Sequence, residues 1–296
     1  MNGYFTASLN VKNVGKFLTD YQKNVLSFSQ HARGHPPGII LFDYIVNNTF
    51  SIFPQLEHRV DAISPKRPDM KTLWQSLKWN QKLGAISLGF IIPLVSLIAI
   101  FPIYFLGKYL YGVRTGIRAA ILYGFIPSVS LFNPLPDGLF AFFSILAIYL
   151  FVKGIKRMDY MPFFLAGLVL SIGIFFSLSL LPIILMLFLF SVISFWMKKN
   201  SYAPLRLLLF TAALIICPLS LFLLFNYNTL SVGETIVKGL APRSYIIWLF
   251  FNIYDFFMFA GVPFLIIFLL SIKTQFRHIV SRSKKLDPFF LSFLPY

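Results

Sequence analysis

Residues 161–197 read MPFFLAGLVLSIGIFFSLSLLPIILMLFLFSVISFWM. No Asp, Glu, Lys or Arg interrupts them. About 20 apolar residues cross a bilayer, so this run is too long for one crossing. Ser177-Leu178 divides it into 161–176 and 179–197. The division predicts a helical hairpin with a tight turn. In lipid every backbone polar group must be satisfied within the chain, and helices do this. Further apolar runs lie on either side, at 85–107, 117–133, 138–152, 204–225 and 244–272. The fold class is therefore an all-α membrane protein, a polytopic bundle of about seven spanning helices.

Composition agrees. Of 296 residues, 57% are apolar, 12% are charged and 36 are Phe. Soluble domains carry roughly 25% charged residues. The single Cys217 excludes an internal disulfide. A net charge of +16 suits a nucleic-acid binder, but the basic residues sit in short loops between apolar runs. That is the pattern of membrane orientation, and it excludes nucleic acid as the partner. Loops 108–118, 153–160, 198–206 and 273–287 hold 14 Lys and Arg, whereas 133–137, 177–178 and 226–243 hold two, Lys238 and Arg243. The first set is cytoplasmic by the positive-inside rule. The turn Asn133-Pro134-Leu135-Pro136-Asp137 and the loop 226–243 face outward.

The N-terminal part is more polar. Three regions follow: 1–84, an extracytoplasmic region with juxtamembrane helices; 85–272, the membrane module; and 273–296, a cytoplasmic tail or loop. Trp74 and Trp79 are spaced like interfacial anchors. Within 1–84 stands His35-Pro36-Pro37-Gly38. Consecutive prolines cannot sit inside a regular helix but suit its first turn. The motif therefore pins His35 at the mouth of the apolar segment 39–46. A rigidly held titratable group at a membrane surface suits a charged lipid headgroup; an ordinary helix start with a surface histidine is the plainer reading. Segment 36–53 is broken by Asn47-Asn48-Thr49. Loop parity places it as a helix along, or dipping into, the outer face.

The order of motifs resembles a known family. His-Pro-Pro-Gly comes first, then a span ending in Gly107-Lys108-Tyr109-Leu110-Tyr111-Gly112. A proline-rich outer turn ending in Asp137-Gly138-Leu139-Phe140-Ala141 follows, then a span capped by Lys153. This is similar to the membrane module of GT-C polytopic glycosyltransferases, in the protein-O-mannosyltransferase and aminoarabinose-transferase branch. Phe225-Asn226-Tyr227-Asn228 and the run from Arg243 to Asp255 resemble a later outer loop and span of that group. The resemblance covers roughly residues 15–270. It implies a mannosyltransferase-like enzyme at the extracytoplasmic face, moving a sugar from a polyprenyl-phosphate donor to an acceptor. It also implies an integral multi-pass protein of a bacterial inner membrane, in contact with membrane lipids. A divalent metal is compatible with it, though no cofactor is fixed by the residues.

Such enzymes resemble one another in carrying a spanning helix and an acidic residue before the His-Pro-Pro motif. Here the one carboxylate upstream of His35 is Asp20, in Thr19-Asp20-Tyr21. The expectation is a truncated member whose catalytic carboxylate, and with it its activity, is in doubt. Asp20 is the candidate base. Arg33, His35 and Arg243 are candidates for the donor phosphate, because the leaving group needs cations and arginine presents a planar fork of donors. Asp137 is a candidate for orienting substrate, or simply an N-cap for helix 138–152. His31 and His35 are four apart, but Gly34 and the prolines argue against one helix through both, so no metal site is assigned. Asp255 lies within an apolar run, where a carboxylate usually faces a cavity or a partner. Two other readings stay open: a transporter or flippase of lipid-linked substrates, and a non-catalytic membrane scaffold.

Overall fold

The computed structural model describes residues 3–61, 63, 68–132, 135–198, 203–239 and 244–280. Among them there is no strand. Short helices come first: α1 (Gly3–Ser8), α2 (Val14–Thr19), α3 (Tyr21–Asn24), α4 (Gln30–Arg33), α5 (Gly38–Thr49), α6 (Glu57–Asp61) and α7 (Pro68–Ser76). The long apolar helices follow: α8 (Trp79–Leu97), α9 (Ile100–Tyr111), α10 (Val113–Gly124), α11 (Pro127–Leu131), α12 (Asp137–Arg157), α13 (Met161–Phe176), α14 (Leu181–Lys198) and α15 (Ala203–Phe225). The last three are α16 (Thr229–Gly239), α17 (Tyr245–Ala260) and α18 (Val262–Val280).

Among the described residues the apolar runs are mainly helical, but three helices, or four if the bent pair within 244–272 is one span, are long enough to cross, rather than the seven expected. Trp79–Tyr111, Asp137–Arg157 and Pro204–Phe225 are long and apolar enough to do so. Met161–Phe176 and Leu178–Ile193 are apolar but shorter. The run 117–133 is divided, because Ile126 takes an extended conformation before Pro127 starts a new helix. The run 244–272 is also divided: Ile246–Ala260 and Val262–Thr274 meet at 112°. Gly261 stands at that bend with φ +88°, which suits glycine alone, and Pro263 opens the next helix. The predicted break at Ser177 is present. Ser177 ends α13 in an extended conformation, and its side chain accepts from the backbone of Ser179 at 3.2 Å.

The centre of the module is α12, α13 and α15, with α14 against α15. Phe151, Phe163, Leu170 and Phe210 fill the space between them. Gly167 lets α13 approach α15 closely, since a Cβ there would strike the Phe210 carbonyl. Four residues on, Ser171 meets the break made by Pro218. Proline lacks the N–H that would bond to Leu214. The Ser171 hydroxyl donates to the Leu214 carbonyl at 2.8 Å and accepts from the Cys217 N–H at 3.0 Å. Both backbone groups are thus satisfied from the neighbouring helix.

The N-terminal helices pack on one end of this module. Helix α5 has 12 residues, about 18 Å of rise, and does not reach across a bilayer. It packs against α1 and α8. Tyr21, Val25, Ile39 and Ile40 form a core with Tyr227, Val232 and Ile236. Trp74 is not an interfacial anchor. It is 7% exposed, packs with Phe5, Val60 and Leu88, and its Nε1–H donates to the Ile63 carbonyl at 2.7 Å. Tertiary burial claims this ring because Phe5 of α1 and Val60 of α6 pack into the same cluster. Trp79 is half-buried, in the first turn of α8.

Candidate functional site

The two prolines do what their geometry demands. Pro37 is the N-cap of α5, and the helix starts at Gly38. Gly38 is needed there because a Cβ would collide with the Phe175 carbonyl at the end of α13. The motif is therefore wedged against the end of the helical module.

His35 is held from several sides. Its carbonyl accepts from the Tyr21 hydroxyl at 2.7 Å. Its ring stacks on Phe140 at 5.8 Å and meets Tyr4 edge-on at 5.6 Å. One ring nitrogen, Nδ1, is buried without a partner, while the ring also hydrogen-bonds the Phe176 backbone. Burial lowers its pKa, the Asp137 charge and the Phe176 bond raise it, and nearby His31 lowers it; burial is the largest effect. The imidazole is consequently mostly neutral at pH 7.

Asp137 reaches the same place from the other direction. Phe140 lies one turn along α12 from it, so the stacked ring fixes the His35 side chain beside the start of α12. Asp137 is the first residue of α12 and not its N-cap: Pro136 holds that position. The carboxylate is exposed and sits in the first turn, where the helix dipole favours a negative charge. It borders a cavity of about 320 Å³ between α8, α10, α11 and α12. Ser96, Tyr123, Ser128 and Phe132 also line that cavity.

A second carboxylate stands close by, and the sequence reading passed over it. Asp43 lies on α5, 1% exposed, with neither oxygen hydrogen-bonded. Burial pushes its pKa up to about 7. Tyr4 feels the charges of both Asp137 and Asp43, and burial together with these charges raises its pKa strongly. Tyr4 is thus within electrostatic reach of both acids, and its ring packs against His35. One turn beyond Asp43, Asn47 is 4% exposed; its amide donates to Ser8 Oγ at 3.1 Å, and its Oδ1 is unpartnered. The available signal was a lone acid eight residues after His35 in an apolar segment.

The other candidates lie elsewhere. Asp20 pairs with Lys23 at 3.9 Å at the surface, and it is not among the charges that act on His35. Arg33 is half-buried at the last residue of α4. His31 is exposed on α4, and Gly34 caps that helix, so the two histidines do not share one. Arg243, Asn133 and Pro134 lie outside the described residues. Asp255 is half-buried on α17. Among the described residues no group of three or more His, Cys, Asp or Glu could hold a metal ion.

A family model described as dolichyl-phosphate-mannose-protein mannosyltransferase matches residues 80–225. The match runs from the first turn of α8 to the last residue of α15 and takes in Asp137 and the cavity. His35 and Asp43 precede it. This agrees with the resemblance that the ordered motifs carry: residues 80–225 are similar to a family of GT-C membrane glycosyltransferases. Within that class the match is to the mannosyltransferase branch. No curated protein matches the chain. No solved structure matches it either.

Proposed function

We propose that the chain transfers a sugar, mannose or a close relative, from a polyprenyl-phosphate donor to an acceptor hydroxyl at the extracytoplasmic face. The observation that carries this reading is the meeting of His35 and Asp137. They stand 102 positions apart in sequence, yet the His35 ring stacks at 5.8 Å on Phe140, one turn along α12 from Asp137. Both belong to motifs that resemble outer-face elements of GT-C enzymes, and the matched module supplies the second.

The chemistry of glycosyl transfer fits these residues. An acceptor hydroxyl needs a carboxylate to take its proton. Asp137 is exposed and faces open space, so it serves as base or as an anchor for sugar hydroxyls. Neutral His35, with its Nδ1 enclosed, shapes the mouth beside Asp137 where the acceptor docks. Arg33 and Arg243 are the cations proposed for the departing phosphate. Asp43 is 1% exposed, so it supports the mouth and does not meet the acceptor as its base.

The test is transfer of radiolabelled sugar from polyprenyl-phosphate mannose by membranes expressing this chain. Wild type should transfer label. Asp137→Asn should lower the rate by roughly 100-fold or more, the usual share of an acid–base group. His35→Ala should lower it with a raised KM for the acceptor. Transfer that is unaffected by both changes removes the site from this mouth. Absence of transfer by the wild type in well-expressed membranes counts against the enzyme and for transport or scaffolding.

A further inference from the structure

At the other end of α12 from Asp137, a second cluster forms. Asp137 and Lys153 are 16 residues apart, about 24 Å along a helix. Lys153 Nζ sits 5.9 Å from the Tyr149 ring centre, Lys108 Nζ 5.7 Å from Tyr104, and Lys156 Nζ 5.4 Å from Tyr109. Lys156 reaches from α12 across to α9, where it also donates to the Tyr109 carbonyl at 3.4 Å. The Tyr109 and Tyr149 rings meet edge-on at 6.5 Å, and Phe105 lies 5.9 Å from Tyr149. Two ammonium groups thus face a pair of tyrosine rings at the junction of two helices, and a third, Lys108, lies over Tyr104 on α9.

None of these lysines has a carboxylate partner among the described residues. Asp159, the nearest acid in sequence, accepts from the Met161 N–H at 3.1 Å. A lysine near a helix C-terminus is favoured by the dipole. That accounts for each lysine singly, but not for three charges gathered from two helices. The same face of α9 continues to Phe105 and Phe101, which are 42% and 61% exposed. Along one line the surface therefore runs from ammonium groups to tyrosine rings to bare phenyl groups. That order matches a lipid, from phosphate through the interface to the acyl chain. By the loop charges this end faces the cytoplasm, where the leaflet is anionic.

We infer that the ends of α9 and α12 form a binding site for the headgroup of an anionic glycerophospholipid. Lys108, Lys153 and Lys156 hold its phosphate, and Phe105 and Phe101 carry an acyl chain. The inference does not rest on glycosyl transfer, because it concerns the opposite end of the module.

The test is native mass spectrometry of the purified full chain in neutral detergent, titrated with phosphatidylglycerol or phosphatidylcholine. Wild type should retain phosphatidylglycerol in preference. The triple change Lys108→Gln, Lys153→Gln, Lys156→Gln should weaken it by roughly 100-fold, at about fivefold per lysine. The matching triple arginine variant should keep most of the affinity. Equal retention of both lipids by wild type, or undiminished retention by the glutamine variant, overturns the site. Displacement of the lipid by inorganic phosphate at matched ionic strength also overturns it, since the site then takes an ion only. Should the triple variant fail to fold, Lys156→Gln alone decides: a loss of about fivefold supports the site, and no loss rejects it.

Discussion

Asp43 shows at the scale of one residue how burial decides chemistry. An ordinary aspartate gives up its proton near pH 4, but burial away from water holds this one's proton to about pH 7. The folded chain therefore binds that proton more tightly than the unfolded chain does. The stabilisation is complete below about pH 4, declines as pH rises, and is gone above about pH 7. The total change is roughly 2–4 kcal/mol for a group so fully buried. Thermal unfolding of the detergent-purified protein should thus show a midpoint that falls between pH 5 and pH 8. In Asp43→Asn the side chain stays neutral, so the midpoint should vary far less with pH and should exceed that of wild type at pH 8. Parallel curves for the two proteins would show that Asp43 ionises freely. Sequence displays an acid here but not its surroundings, since the packing of α1 and α8 around α5 is what removes water from it. Trp74 teaches the same lesson in reverse. Its spacing suits an interface, and only the tertiary cluster with Phe5 and Val60 buries it.

Helices and their breaks were legible to different degrees. The His-Pro-Pro-Gly start was legible because proline geometry is local, and α5 begins where the two prolines require. The division at Ser177 was legible because length alone forbade a single crossing. The bend at Gly261 was not, because the run 244–272 is continuously apolar and hydropathy does not register a 112° turn. Gly261-Val262-Pro263 was the local signal. At the site, His35 and Asp137 were both named from motifs, but their meeting depends on the stacking of Phe140, which no local pattern reveals. The bridge from Ser171 to the Pro218 break lies at this scale too. Ser171→Ala leaves the Leu214 carbonyl and the Cys217 N–H without partners in an apolar setting. It should cost about 1–3 kcal/mol. Replacing Pro218 by Ala restores the N–H to Leu214, so Ser171→Ala should cost less in that background. Unfolding midpoints of the four proteins in such a cycle measure the coupling, and strictly additive effects would show that the bridge carries no energy. Gly38→Ala should push α5 away from α13 and reduce transfer several-fold with the protein still folded, as read by activity beside the unfolding midpoint.

For the whole molecule, the charge asymmetry of the loops predicts an orientation that labelling checks directly. In a chain with Cys217→Ser, a cysteine replacing Asn48 or Asp137 should react with an impermeant reagent from outside intact cells. One replacing Arg157 should react only after the membrane is opened. Reaction of position 48 from the cytoplasm alone would invert the placement of α5. The same architecture sets a physical size. Helix α12 carries a carboxylate at one end and a lysine 16 residues later, about 24 Å away, whereas a typical hydrocarbon core is about 30 Å thick. The Lys153 stem extends that reach toward the headgroups, so α12 spans such a core with little tilt. Acyl-chain length thereby becomes a control on how well the two ends of this helix meet water at once.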